Sequence, residues 1–246
     1  MIRTLIFACP WNIVMSIVEI PESADSVPPL QPGDRLHRAE FERRYNAMPD
    51  CKKAELIEGV VYVSSAVRLR HGQNHSRLIT WIGNYVESTP GTDYADNATN
   101  RLDNDNEPQP DVGLFIDPAC GGQSRVSEDG YLTGSIEFVA EVSVSSVSLD
   151  RGPKLRTYER HGVREYLIWR VDDKMLEWYV LRDDGFQLQL LPDDGIYRSE
   201  VFPGLWLNAA AMLQRDGKLV MKALNDGLAT VEHANFVKQL ANRRTS

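Results

Sequence analysis

The chain has 246 residues, 42% of them hydrophobic and 25% charged, the balance of a globular protein with one large domain or one domain with appendages. No apolar run approaches the roughly 18 residues of a membrane span. A net charge of −8 runs against a broad nucleic-acid-binding surface, which usually carries a basic excess, but leaves room for a bound cation and a local basic patch beside phosphates.

The first residues, MIRTLIFACPWNIV, superficially resemble a signal peptide. Pro10 interrupts the apolar stretch and no small-x-small cleavage site follows, so Met15 offers a second start as readily as Met1. Residues 15–34 are rich in Pro, Ser and acidic side chains and read as a flexible lead-in, making 1–34 a unit of its own. Helical spacing follows over 35–48, with Leu36, Phe41 and Tyr45 on one side and Asp34 as N-cap. ELIEGVVYV (55–63) reads as a strand pair broken at Gly59 or one bent strand. HSRLITWIGNYVES (75–88) predicts an amphipathic helix with His71 and His75 flanking its start, closed by Pro90-Gly91. Residues 93–102 are a weaker strand.

Asp111 to Ile116 is the next strand, 117–134 a loop, and Ile136 to Val144 a central strand buried on both faces. Pro153 to His161 predicts a short helix, with Pro153 at its first position and Gly162 just past its end. Three strands at hairpin spacing follow over 165–171, 175–181 and 186–191. Residues 214–246 read as a helical C-terminal extension with a break near Gly227. Its apolar residues, from Leu219 to Leu240, suit either packing on the domain or a homodimer arm. The order of elements predicts a mixed sheet flanked by helices, an α/β or α+β fold with its main domain over 35–213. The three cysteines, Cys9, Cys51 and Cys120, are odd in number and too dispersed for zinc or a disulfide framework, which suits a reducing cytoplasm.

Three residues carry the chemistry. Glu141 lies among Phe138, Val139, Ala140, Val142 and Val144, where an unpaired carboxylate is costly. Asp111 follows Pro110 at the mouth of a strand that can lie beside it. Lys154 is at a helix start, against the helix dipole. Two carboxylates and a lysine are what a metal-dependent phosphodiesterase needs: a cation site, and a positive charge to position water. Glu55, ahead of Glu58, is a candidate third carboxylate. Lys154, Tyr158 and His161 share a helix face, and Arg151, Arg156, Arg160 and Arg164 form a candidate phosphate-facing patch. His75, with His71 and Arg68, Arg70 and Arg77 nearby, could contact phosphate or position water. Nucleotide-binding glycine loops and the GxSxG motif are absent.

With those residues in place, the chain resembles the Uma-two family of putative restriction endonucleases, a branch of the PD-(D/E)xK nuclease superfamily. The similar segments are ELIEGVVYV, HSRLITWIGNYV, QPDVGLFI, IEFVAEVSVSSVSLDRGPKLRTYERHGVREYLIWRVD and VFPGLWL, spanning about 36–213. The resemblance implies a restriction-endonuclease-like mixed central sheet flanked by helices, with magnesium or manganese bound by Asp111 and Glu141. Two residues after Glu141, where the superfamily usually has lysine, stands Ser143. Lys154 then matches a lysine supplied by the following helix, and Glu55 the first glutamate of a family segment whose second is replaced by Val60. The implied activity is metal-dependent endonucleolytic cleavage of DNA. A catalytically silent nuclease fold used for binding or assembly, and action on RNA, are the alternatives.

Overall fold

The computed structural model describes residues 3–5, 18–20, 27–64 and 67–244. The signal-like stretch beyond Arg3–Leu5, Met15 and Cys9 lie outside the described residues. Arg3–Leu5 and Val18–Ile20 pair antiparallel.

A six-stranded mixed sheet organises the chain. Its strands are β3 (Thr92–Asp96), β4 (Val112–Ile116), β5 (Phe138–Ser143), β6 (Glu165–Arg170), β7 (Met175–Arg182) and β8 (Gly185–Leu188), in the spatial order 8-7-6-5-4-3. Only β5 and β6 run parallel; the crossover between them carries helix α3 (Leu155–His161). Every residue of β5 is buried, as its unbroken apolar run requires of a strand covered on both faces.

One face is covered by α2 (Leu69–Glu87), through Leu78, Trp81, Ile82 and Tyr85. Trp81 meets Phe138 and Trp178 edge-on at 6.3 and 6.1 Å. α2 begins well before the expected residue 75, so His71 and His75 lie within it, one turn apart. Its first turns, LRHGQN, are polar and contain Gly72, so no apolar stripe marks them. On the opposite face Tyr158 and Val163 pack on Val139, Tyr166 and Ile168.

A separate hairpin, β1 (Ala54–Ile57) and β2 (Val60–Val63), packs with α1 (Arg38–Asn46) around Phe41, Leu56 and Val61. Its turn residues Glu58 and Gly59 both have positive φ, 51° and 73°, the backbone a two-residue hairpin turn demands. The expected N-cap Asp34 does not cap α1. His37 holds that position, and the Asp34 carboxylate accepts from the Gln31 amide and from Arg44 instead. Leu30 is already in the core of this unit.

One correction concerns a helix start. Pro153 is not at a helix start: the chain is helical from Val147 and passes through a wide π-type turn over Asp150–Lys154 before α3. A proline cannot donate the regular i→i−4 bond and clashes with that carbonyl; widening the turn removes both conflicts. At the C-terminus, β9 (Ile196–Arg198) and β10 (Trp206–Asn208) lead into α4 (Ala209–Gln214), α5 (Gly217–Leu228) and α6 (Val231–Arg244). The helical break expected near Gly227 falls just after Leu228. Val220, Leu224 and Leu240 are buried in the main core, so these helices fold back on the sheet. Among the described residues Cys51 and Cys120 are free thiols, and no helix is long and apolar enough to cross a membrane.

Candidate active site

The antiparallel register pairs Val112 with Ala140, and one further step puts Asp111 opposite Glu141. The backbone bonds follow: the Asp111 amide approaches Glu141 Oε2 at 3.4 Å, and the Val142 amide donates to Asp111 Oδ2 at 2.8 Å. Lys154, the last residue of the wide turn, reaches across the sheet. Its Nζ lies 2.8 Å from Glu141 Oε1 and 2.9 Å from Glu55 Oε1. Glu55 comes from β1, and the Gln109 amide donates to the same oxygen at 2.7 Å. Tyr158, one turn beyond Lys154, donates its hydroxyl to Glu141 Oε1 at 3.2 Å. Asp111, Glu141, Lys154, Glu55 and Tyr158 are all at most 4% exposed.

Asp150 and Lys53 complete the set, and nothing in the sequence patterning singles them out. Asp150 is buried 4.0 Å from Lys154 and accepts from the hydroxyls of Ser143 and Ser146. Ser143 therefore holds a carboxylate where the superfamily's lysine would stand. Lys53 lies 3.3 Å from Asp111 Oδ1. The available signals were spacing alone: Lys53 shares a strand face with Glu55, and Asp150 precedes Lys154 by four.

His71 Nε2 is 3.6 Å from Asp111 Oδ1. His75 Nε2 contacts the Asp111 carbonyl at 2.8 Å and Asp96 at 3.1 Å. Three expectations fail. His161 turns away, to Asp103 and the Thr157 carbonyl. Glu58 is in the hairpin turn, paired with Arg156. The arginine patch is occupied elsewhere: Arg151 pairs with Glu177, Arg156 and Arg160 with Glu58, and Arg164 donates to Gln123.

Burial sets the electrostatics. It would drive Lys154 toward neutrality, but the carboxylates of Glu141 and Glu55 outweigh it and hold the ammonium protonated well above the usual lysine range. Burial pushes Glu141 upward against the pull of Lys154, and raises the Tyr158 hydroxyl well above the usual tyrosine range. At Asp111 burial also pushes up, but the nearby imidazole of His71 and the charge of Lys53 prevail and hold the carboxyl below the ordinary aspartate range. The same contact raises His71. The site thus divides into a sealed ion-pair cluster around Lys154 and a second grouping in which buried Asp111 meets the partly exposed Lys53 and His71.

The fold is that of a nuclease-like protein. It is similar to the crystal structure of a putative nuclease belonging to DUF820 from Anabaena variabilis ATCC 29413, with TM-score 0.52 and 14% identity over 76% of this chain and 97% of that one. The profile of the Uma2 family, described as putative restriction endonuclease, matches residues 38–210, and the chain belongs to that family. No curated protein matches it.

Proposed function

We propose that this protein is a divalent-metal-dependent endonuclease hydrolysing DNA phosphodiester bonds at the site of Asp111, Glu141 and Lys154. The observation that carries the reading is the meeting of two buried strand carboxylates with a buried lysine from a later helix, Lys154 Nζ lying 2.8 Å from Glu141. Membership in a family described as putative restriction endonucleases supports the same reading.

The donor set fits magnesium or manganese. Magnesium takes hard oxygen ligands, keeps several waters, and is commonly held by one or two carboxylates together with a substrate phosphate. Asp111 and Glu141 are such donors. Among the described residues no three acidic, histidine or cysteine side chains are grouped so as to hold a metal ion by themselves.

When bound, the cation polarises the phosphate and lowers the pKa of an attacking water. The chain's residues supply the rest. Lys154 and Tyr158 fix Glu141 Oε1, leaving Oε2 on the Asp111 side. Lys154 adds a positive charge, in a site shielded from water, to offset the negative charge that grows on the phosphate oxygens. Lys53 and His71, partly exposed beside Asp111, add positive charge that favours an approaching phosphate.

The test is cleavage of single-stranded, duplex and branched DNA with magnesium or manganese, comparing wild type with Glu141→Ala. Metal-dependent cutting that falls by about 10²-fold or more in the variant is expected for a lost electrostatic contact at the reacting centre. Equal cutting by both proteins, or none by the wild type on any substrate, overturns the reading.

A further inference from the structure

Beside the candidate active site, on the α2 face of the sheet, there is a pocket of about 200 Å³ lined by Arg70, Asn74, Trp169, Lys174 and Arg215. Register fixes its place. Trp169 pairs with Val142, the residue after Glu141, and the Val171 amide donates to the Ser143 carbonyl. His71 and His75 of α2 turn toward Asp111, while Arg70 and Asn74, each one residue earlier, line the pocket.

Asn74 is fully buried, and neither its Oδ1 nor its Nδ2 has a hydrogen-bond partner among the described residues. An orphaned buried amide is costly and points to a polar group that completes it. The surrounding charge is basic. Arg70 pairs with Asp172 and donates to the Val171 carbonyl. Lys174 and Arg215 have no carboxylate partner among the described residues. Both also have left-handed backbones, φ 51° and 62°, a conformation that costs a residue with a side chain and favours glycine. Arg215 follows α4, where glycine is the usual solution. Basic side chains thus occupy two positions at which the backbone alone calls for glycine. The N-terminal turn of α2 contains no acidic residue and its N-cap makes no side-chain bond, so the helix dipole adds in the same sense.

We propose that this pocket is a phosphate-binding subsite that holds one phosphate of a nucleic-acid strand next to the bond being cut. Lys174 and Arg215 supply the charge, Arg70 being paired with Asp172, and Asn74 Nδ2 donates to a phosphate oxygen. The link to a cut strand rests on the nuclease reading; the anion chemistry stands without it.

The test compares wild type, Lys174→Gly/Arg215→Gly and Asn74→Leu without divalent metal. Inorganic phosphate is expected to raise the melting temperature of the wild type alone. Oligonucleotide affinity is expected to fall in the double variant, with the salt dependence shallower by about one for each cation removed. Glycine suits both left-handed positions and leucine removes the orphaned amide, so each variant is expected to melt no lower than wild type in phosphate-free buffer. A purely structural role for these side chains predicts the opposite. Affinity losses shared by 5′-hydroxyl and 5′-phosphorylated oligonucleotides identify an internal phosphodiester as the ligand. Losses confined to the phosphorylated strand identify its end. Phosphate and oligonucleotide responses that persist in both variants overturn the subsite, whether or not the protein cuts DNA. A phosphate response that disappears in the variants of a protein that never cuts leaves the subsite standing and removes the nuclease reading.

Discussion

Removing the ammonium of Lys154 leaves Glu55 and Glu141 as neighbouring carboxylates in a buried site. Breaking a buried pair from one side typically costs about 3–5 kcal/mol, because the remaining charge is uncompensated. Lys154→Met is therefore expected to lower stability by about that amount in urea denaturation; a wild-type midpoint would mean that the lysine does not neutralise this cluster. Glu165 offers a second residue-scale prediction. It is fully buried at the start of β6, accepts from Ser199 and from the Glu200 amide, and burial pushes its pKa up to about 7. A carboxyl raised in the folded state contributes stability that is complete below its unfolded pKa of about 4.3 and lost as pH rises through the folded value. The loss between about pH 4.5 and 7 is on the order of 3 kcal/mol. Melting curves at pH 5 and 8 are expected to show a larger drop for wild type than for Glu165→Gln. Parallel pH profiles would remove the assignment.

At the scale of elements, Gly227 shows why a glycine in a helical pattern need not break the helix. It lies inside α5, and a Cβ there would sit 2.3 Å from the Gly204 carbonyl and 2.7 Å from the Trp206 ring. The glycine lets the helix lie directly on the β9–β10 turn. Gly227→Ala, a favourable change by helix propensity alone, is expected to destabilise by about 1–3 kcal/mol through overpacking, seen as a lower thermal midpoint; a stabilised variant would show that the contact yields freely. The strands were the most legible elements in sequence, since β5, β6 and β7 carry dense apolar runs between clear turns. The start of α2 was hidden because its polar turns bring His71 and His75 to the candidate site and Arg70 and Asn74 to the neighbouring pocket rather than to the aromatic core. The Asp111–Glu141–Lys154 grouping was legible because a glutamate inside a buried strand demands a partner, and Glu55 and Tyr158 join it. Lys53 and Asp150 were not, because a lysine just ahead of a strand and an aspartate next to an arginine look alike whether solvated or buried. The basic surface was misplaced for a similar reason: the arginines of α3 and its approach meet carboxylates from distant segments, and sequence spacing carries no record of those pairings.

At the scale of the whole molecule, the sheet divides the protein into two unequal layers. One holds the large aromatic core under α2 and the C-terminal helices; the other is thin, and there the hairpin, the wide turn and β5 enclose charge. The candidate site draws its members from four separate stretches of the chain: Lys53 with Glu55, Asp111, Glu141, and Asp150 with Lys154 and Tyr158. This dispersal has a consequence for biosynthesis. Domains emerge N-terminus first, and contacts between distant segments form only after the loop-closure entropy has been offset. Glu55 and Asp111 leave the ribosome before the lysine that neutralises their neighbourhood exists. A nascent or half-folded chain thus holds Glu55 and Glu141 without the cation that binds both, and any phosphate-directed chemistry begins only when the segment carrying Lys154 has docked against β5.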